Sequence, residues 1–495
     1  MTRLSVRNGV AVAAGQIPSP APGEWRHAIL DAVAGGSRVA ALFATPTPAG
    51  GHELTAVLAH DAASSLSVAR TQLAAPAFPS LSQECPQVAL FEREIAEESG
   101  VAPEGHPWLE PLRFSRLEGP AAGCADFHRV EGDEVHEVAV GPVHAGVIEP
   151  GHFRFQCHGE RVLHLEIALG YQHRGVEEAI RSGAARRRIH YVETAAGDTT
   201  VGHVTAWCEI LESLAGVSAP HRAQALRAIA LELERLANHT GDLGALAADV
   251  GFQSTASSCG RLRGEWLNLS AELCGSRFGR GLVRPGGVAF DADPARIERM
   301  TLRLDAALRD LRSSVELLWS SPSVLARFEG TGPLSKDTAR EIGLVGPAAR
   351  ACGLPRDARV NHPTGMFRFV QVPLSRWRSG DVFARAWVRW LEIERSAVFV
   401  REQLGALPDG PVRAPIDPVG RLAPDRLCVS LVEGWRGEIC HVAQTDASGT
   451  LSHYKIVDPS FHNWTGLALA MRGQEISDFP LCNKSFNLSY CGFDL

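Results

Sequence analysis

The chain has 495 residues, 45% of them hydrophobic and 21% charged, with a formal net charge of −7. That length exceeds one ordinary core, so two or three domains are expected. The negative balance excludes the basic footprint of a nucleic-acid binder, and no run approaches the ~18 apolar residues of a membrane span. The eleven cysteines are scattered and include no CxxC pair, which fits reduced thiols better than a disulfide framework. The N-terminal stretch MTRLSVRNGVAVAAGQIPSP lacks a convincing apolar core and cleavage site, so no signal peptide is expected.

In chain order, Glu24–Ala34 reads as a helix ending at Gly35-Gly36. Arg38–Ala44, Glu53–His60 and Leu66–Leu73 read as strands, and Phe91–Glu98 as a short acidic helix. Residues 115–140 are polar and irregular and read as a linker. Arg154–Cys157 and Val162–Leu169 are strand candidates around the His158-Gly159-Glu160 turn, and Gly175–Ser182 begins a helical stretch. Pro220–Val250 carries the strongest helical period. Leu226, Ile229, Leu233, Leu236, Thr240, Leu243 and Leu246 fall three and four apart and form one core-facing stripe. Glu232, Glu234 and Arg235 are then expected on a solvated or partner-facing side. Pro294–Trp319 and Gly380–Leu404 repeat the helical pattern, so a bundle is expected over 190–405. Strand-like segments return within 426–456.

Two stretches organise the rest. Tyr191–Trp207, YVETAAGDTTVGHVTAW, is a small-residue turn running into an apolar helix that carries His203. The tail NLSYCGFDL, Asn487–Leu495, is polar and carries Cys491. Alone, neither announces chemistry.

Their setting resembles a known pair of proteins. FEREIAEESGVAPEGHPWLEPLRF, Phe91–Phe114, is similar to a segment of the C-type subunit of respiratory complex I and its hydrogenase relatives. GPVHAGVIEPGHFRF (Gly141–Phe155), LGYQHRGVEEAI (Leu169–Ile180) and LELERLANHTGDLGALAADVGF (Leu231–Phe252) resemble the D-type subunit. So do GSRFGRGLVRPGGV (Gly275–Val288), GDVFARAWVRWLEIERS (Gly380–Ser396), VEGWRGEI (Val432–Ile439) and YKIVDPSFHNW (Tyr454–Trp464). That subunit is homologous to the [NiFe]-hydrogenase large subunit, and a fused C/D chain is similar to the formate hydrogenlyase large subunit. The resemblance implies an α+β fold: a C-type domain over 1–125, a linker over 126–140, and a mainly helical D-type domain with peripheral strands over 141–495.

It also implies an oxidoreductase subunit, NADH:quinone-oxidoreductase-like or formate-hydrogenlyase-like. Such a subunit sits in a peripheral arm at the cytoplasmic face of the membrane. Its implied partners are a small [4Fe–4S]-bearing subunit, other peripheral-arm subunits and antiporter-like membrane subunits. In the hydrogenases two CxxC pairs hold nickel. Here those positions are Ala196 and Thr199, then Ser489 and Gly492, with Cys491 displaced by one. None has sulfur, so nickel is not expected. Complex I admits quinone to the equivalent cavity through a His and a Tyr, which here become Pro150 and Gly197. The match to the quinone site is thus incomplete, and quinone stays only a possible ligand.

The resemblance assigns Glu149 and His203 to proton handling, and His144, Gly197 and Arg436 to the lining of a cofactor cavity; Asp198, in a short loop of small residues, is a further candidate carboxylate for proton handling there. Each has a plainer reading. Glu149 caps a turn before Pro150, His203 is a buried hydrogen-bonded residue, Asp198 is an Asx-turn residue, and Trp435 leaves the aim of Arg436 open. Loop Ala195–His203 is expected to line a closed cavity that Glu149 and His203 both reach. Two other readings stay open: a hydrogenase or formate hydrogenlyase subunit proper, and a non-catalytic scaffold passing conformational change to a membrane module.

Overall fold

The computed structural model describes residues 2–47, 50–114, 127–144, 146, 148–417 and 420–495. The first 100 residues build a four-stranded antiparallel sheet. Leu4–Val6 pairs with Ser65–Leu73, which pairs with His52–His60, which pairs with Arg38–Pro46. Branched and small side chains fill these strands, and Leu54, Ala56, Val57, Leu58, Leu66 and Val68 are buried. Helix Pro22–Ala34 lies over the sheet, and its Trp25 Nε1 donates to Ala69 O at 3.3 Å. Val135–Val140, inside the stretch that reads as irregular, is a strand. It forms a three-stranded antiparallel sheet with His152–His158 and Arg161–Ala168.

Helices dominate from Val176 onward, and the fold is α+β. The long helix His221–Asp249 packs against Gln253–Cys274, Val382–Gly405 and Phe479–Phe486. All seven residues of its predicted stripe have 0% exposure. The opposite side of that helix departs from expectation, because Glu232 and Arg235 are also at 0% and Glu234 is at 9%. Distant charges explain this. Arg235 pairs with Glu232 at 3.1 Å and Glu392 at 3.3 Å, and Arg359 reaches Glu232 at 3.0 Å. Arg350 bridges Glu392 at 2.6 Å and Glu433 at 2.7 Å, and Arg389 pairs with Asp242 at 2.6 Å. A buried charge is tolerable only when paired and hydrogen-bonded, as these are. No helix among the described residues is long and apolar enough to cross a membrane.

The third sheet sets the site. Leu451–Val457, Gly437–Thr445 and Arg426–Gly434 are antiparallel neighbours, and Val12–Ala13 adds to the edge beside Arg426. Its strands are buried almost throughout, so this sheet is a wall of the core rather than a rim. The register pairs Gly434 with Gly437 and leaves Trp435-Arg436 as a two-residue turn.

The N-terminal sheet is tied to this wall by charge. Arg38 pairs with Glu438, and Asp61 meets Arg38 at 3.1 Å, His362 at 3.0 Å and Arg356 at 3.6 Å. Burial alone would raise the Asp61 carboxyl. Arg38, the His362 hydrogen bond and Arg356 outweigh burial and hold it well below the usual range. Its folded value is depressed, so its contribution is complete above the ordinary Asp value, about pH 4, and fades as pH falls below that. Asp61→Asn should lower the melting temperature at pH 7, through a loss on the order of 3 kcal/mol. The difference from the parent should shrink in acid. Equal melting at pH 7 would contradict this anchor.

Candidate functional site

Three chain segments converge beneath the turn Ala195–Thr199. The turn itself follows helix Ala185–Glu193 and feeds helix Thr200–Ala215. The second segment is the Trp435-Arg436 turn. A Cβ on Gly346 would stand 2.2 Å from Arg436 O and 2.4 Å from Gly437 Cα. The two backbones therefore touch, and Gly346 has φ +66°. The third segment is the tail. Asp494 accepts from Gly170 N at 2.8 Å and Gln172 N at 2.9 Å, and Arg113 Nε donates to Phe493 O at 2.9 Å.

Arg436 joins the three. Its Nη2 donates to Asp198 Oδ2 at 2.8 Å while Nη1 reaches Asp198 Oδ1, a bidentate pair. Its Nε donates to Asn487 O at 2.5 Å. Its guanidinium centre lies 3.9 Å from the Trp435 ring centroid. Trp435 thus shelves the arginine, and its Nε1 donates to Asp198 O and Thr199 Oγ1, both at 3.1 Å. The structure brings Asp198 and Arg436 together, and the Asp198 carboxylate is committed to that pair.

His203 is fully buried one helical turn inward. Its Nε2 lies 3.1 Å from Asp458 Oδ2 and its Nδ1 lies 3.0 Å from His441 Nε2. His441 Nδ1 lies 2.7 Å from Tyr454 Oη. Asp458, His203, His441 and Tyr454 thus form one hydrogen-bonded line, each at most 2% exposed. Burial would raise the Asp458 carboxyl, but the His203 hydrogen bond and charge, with Arg436, hold it below its ordinary value. Burial and His203 push His441 well below its ordinary value, so it is neutral. The hydrogen-bonded line joins the Tyr454 hydroxyl to the Asp458 carboxylate through the two imidazoles.

Glu149 meets the tail elsewhere. The Cys491 thiol contacts the Glu149 carboxylate and the Gly197 backbone, and burial with that carboxylate pushes the thiol up to about 11. Cys491 is therefore an inert buried thiol. His203 meets the tail through Asp458, against Gly492. Glu149 and His203 thus have neighbouring partners but do not touch each other. Gly197 is exposed and a Cβ there would meet nothing within 4 Å, so the turn's tip opens at the surface of this chain. His144 Nε2 lies 2.9 Å from Gly151 O in its own hairpin. Glu234 joins the site instead. It accepts from Val201 N at 2.7 Å and Gly202 N at 3.2 Å, and burial raises its carboxyl to about 8 against those bonds, with Asp198 adding.

The four positions that hold nickel in the hydrogenases do not fit that metal here. Ala196 and Gly492 have no donor atom. Thr199 Oγ1 receives Trp435 and Arg436, and Ser489 Oγ accepts from Gly492 N at 2.9 Å. A Cβ on Gly492 would stand 2.8 Å from Asp458 Cγ, so a larger residue there would displace the carboxylate. Among the described residues no group of three or more His, Cys, Asp or Glu is placed to hold a metal. Pro150 and Gly197 likewise offer no side-chain donor to a quinone.

The sequence comparisons define a large subunit of the complex I and hydrogenase type. The model "Respiratory-chain NADH dehydrogenase, 49 Kd subunit" matches residues 249–494. The carbon monoxide-induced hydrogenase of Rhodospirillum rubrum is 32% identical over 354 residues, 71% of this chain and 97% of that one. Formate hydrogenlyase subunit 5 of Escherichia coli K12 is 29% identical, covering 84% of this chain and 76% of that subunit. A D-type subunit of the NADH-quinone oxidoreductase of Solibacter usitatus is 29% identical, covering 65% of this chain and 86% of its own. The chain belongs to the family of complex I 49 kDa subunits and their hydrogenase large-subunit relatives.

Arg436→Met should leave Asp198 and the Asn487 carbonyl without their shared donor. The amides of 196–199 should then exchange with solvent about tenfold faster, the equivalent of about 1.4 kcal/mol, while those of His221–Asp249 stay protected. Unchanged exchange at 196–199 would contradict the clamp.

Proposed function

We propose that this chain is the large subunit of the peripheral arm of a membrane-associated, complex-I-like oxidoreductase that works without a nickel–iron centre. The observation that carries the reading is the buried Asp458–His203–His441–Tyr454 line, which reaches the tail at Gly492. Asp458 lies against Gly492, and His203 lies one helical turn after the turn Ala195–Thr199. They are groups suited to accepting and passing protons. Glu149, at the surface end of the tail, is the group that exchanges protons with the outside, and Asp198 holds the turn in place through Arg436.

In this reading the first 125 residues form the C-type unit and residues 141–495 the D-type unit. The electron-carrying group is a [4Fe–4S] cluster in a separate small subunit that docks on the exposed turn. Antiporter-like membrane subunits lie beneath, and the assembly sits on the cytoplasmic face of the membrane.

Elemental analysis of the assembled complex tests the metal-free part. Nickel should be far below one atom per chain after mild chelation, with iron present in multiples of four. About one retained nickel per chain would overturn the reading. Iron absent from the whole complex would remove the cluster-bearing partner from it.

A further inference from the structure

Helix Thr200–Ala215 also borders a polar space that the buried line does not touch. A cavity of about 40 Å³ lies between this helix, helix His221–Asp249, strand Arg426–Gly434 and the segment 364–367. Its rim is half-buried, at Gln224, Gly365 and Met366, and its floor is buried, at Thr205, Ala228 and Leu431. Two side chains give the space its chemistry. Thr205 and Glu209 stand one helical turn apart and so share a face of the helix. Thr205 is 8% exposed, and its hydroxyl has no hydrogen-bond partner among the described residues. A buried hydroxyl is rarely left so, because it gives up water without a replacement. A helical threonine settles in either of two rotamers, so this hydroxyl can turn toward the cavity. Glu209 Oε2 accepts from Ser430 Oγ at 2.7 Å, and the Thr364 hydroxyl bonds to the same carboxyl group.

The charged groups in the walls are committed elsewhere. Arg227 pairs with Glu212 at 2.5 Å and donates to Gly287 O at 3.1 Å. Arg359 pairs with Asp357 at 2.6 Å and with Glu232 at 3.0 Å. Glu433 accepts from Arg350 at 2.7 Å and from Ala358 N at 2.8 Å. Both guanidinium groups are thus engaged rather than offered to an anion. Among the described residues no group of three or more His, Cys, Asp or Glu is placed to hold a metal. The volume is far below the ~300 Å³ of a small-molecule pocket. It suits about three water molecules, which settle where two or more polar partners meet them.

We infer that this cavity is a water-binding site, in which ordered molecules join the Thr205 hydroxyl to the Glu209 carboxyl group and give that acid a route for exchanging its proton with solvent at the rim. In the exchange Glu209 gives its proton to the adjoining water, and that water passes one of its own protons outward. The carboxylate left behind is held by the Ser430 and Thr364 hydroxyls and by the charge of Arg227. Burial raises the Glu209 carboxyl above its ordinary value against those three partners, and Glu212 adds to the rise. Glu209 therefore keeps its proton to a higher pH than an exposed glutamate does. Ser430, its hydroxyl partner, is paired directly with His441 across the sheet. The inference rests on this cavity alone and holds whether or not the buried line carries protons.

The test is infrared difference spectroscopy of the full complex from its native host. A pH step should reveal a carboxylic-acid C=O band that is lost in Glu209→Gln and fades as pH rises. In heavy water that band should shift promptly, as the acid proton exchanges. Thr205→Val keeps the shape and removes the hydroxyl, and it should slow the shift about tenfold or more. Thr205→Ser, which keeps the hydroxyl, should exchange as the parent does. A high-resolution structure of the parent complex should place ordered water at hydrogen-bond distance from both Thr205 and Glu209. A Glu209 band that stays unshifted for hours in heavy water, an equal rate in Thr205→Val, or no ordered water between the two groups would overturn the inference.

Discussion

The arrangement depends on one buried guanidinium. Arg436 leaves a two-residue turn that has almost no freedom, because Gly346 and Gly437 bring two backbones into contact on one side of it. From that fixed point it grips Asp198 in the turn and Asn487 in the tail while lying on Trp435. A charge in a low-dielectric interior costs several kcal/mol unless its partners are complete. The same interaction therefore holds three segments together and makes each sensitive to loss of the others. The relay beneath them inherits its geometry, since Asp458 is held both by His203 and by the field of Arg436.

The polar groups of the turn and the tail are satisfied within the chain. Of the residues that the resemblance matches to nickel ligands, Ala196 and Gly492 carry no donor atom, and the hydroxyls of Thr199 and Ser489 are bonded within the protein. Gly492 has no side chain, and Asp458 stands against it. Negative charge beside Gly492 is supplied by the Asp458 carboxylate. The carboxylate is balanced by an imidazole and an arginine, all of which the chain encodes. Glu234, raised to about 8, is largely protonated at neutral pH, so the start of helix Thr200–Ala215 adds little further negative charge.

Much of the fold is legible in the residues alone. A seven-residue stripe at spacings of three and four specifies the central helix, and alternating or continuous apolar runs specify the strands at 38–46, 52–60, 65–73 and 426–457. Helix Gln253–Cys274 is hidden because glycines and serines dilute its period, and Val135–Val140 because it is polar and lies on an exposed edge. The polar side of His221–Asp249 misleads for a physical reason. Periodicity reports which residues are apolar, whereas the burial of Glu232 and Arg235 depends on Glu392 and Arg359, more than a hundred residues away. The site divides similarly. His203, Asp198 and Arg436 are found through their place in the chain. Asp458, His441 and Tyr454 are not, because each sits in a strand or helix start whose local pattern is ordinary. Only the register of the buried sheet places His441 and Tyr454 on one face, aimed at His203.

The central claim is that a carboxylate–imidazole line, and not a metal, occupies the heart of the site. Nitrogen-15 NMR of the histidine side chains in the assembled protein tests it most directly. One far-downfield N–H proton is expected on His203 Nε2, protected from solvent and lost in Asp458→Asn. His441 should remain neutral across the acid range in which ordinary histidines become charged. Two histidines that exchange freely and protonate independently near 6.5, with no change in the Asp458→Asn protein, would contradict it.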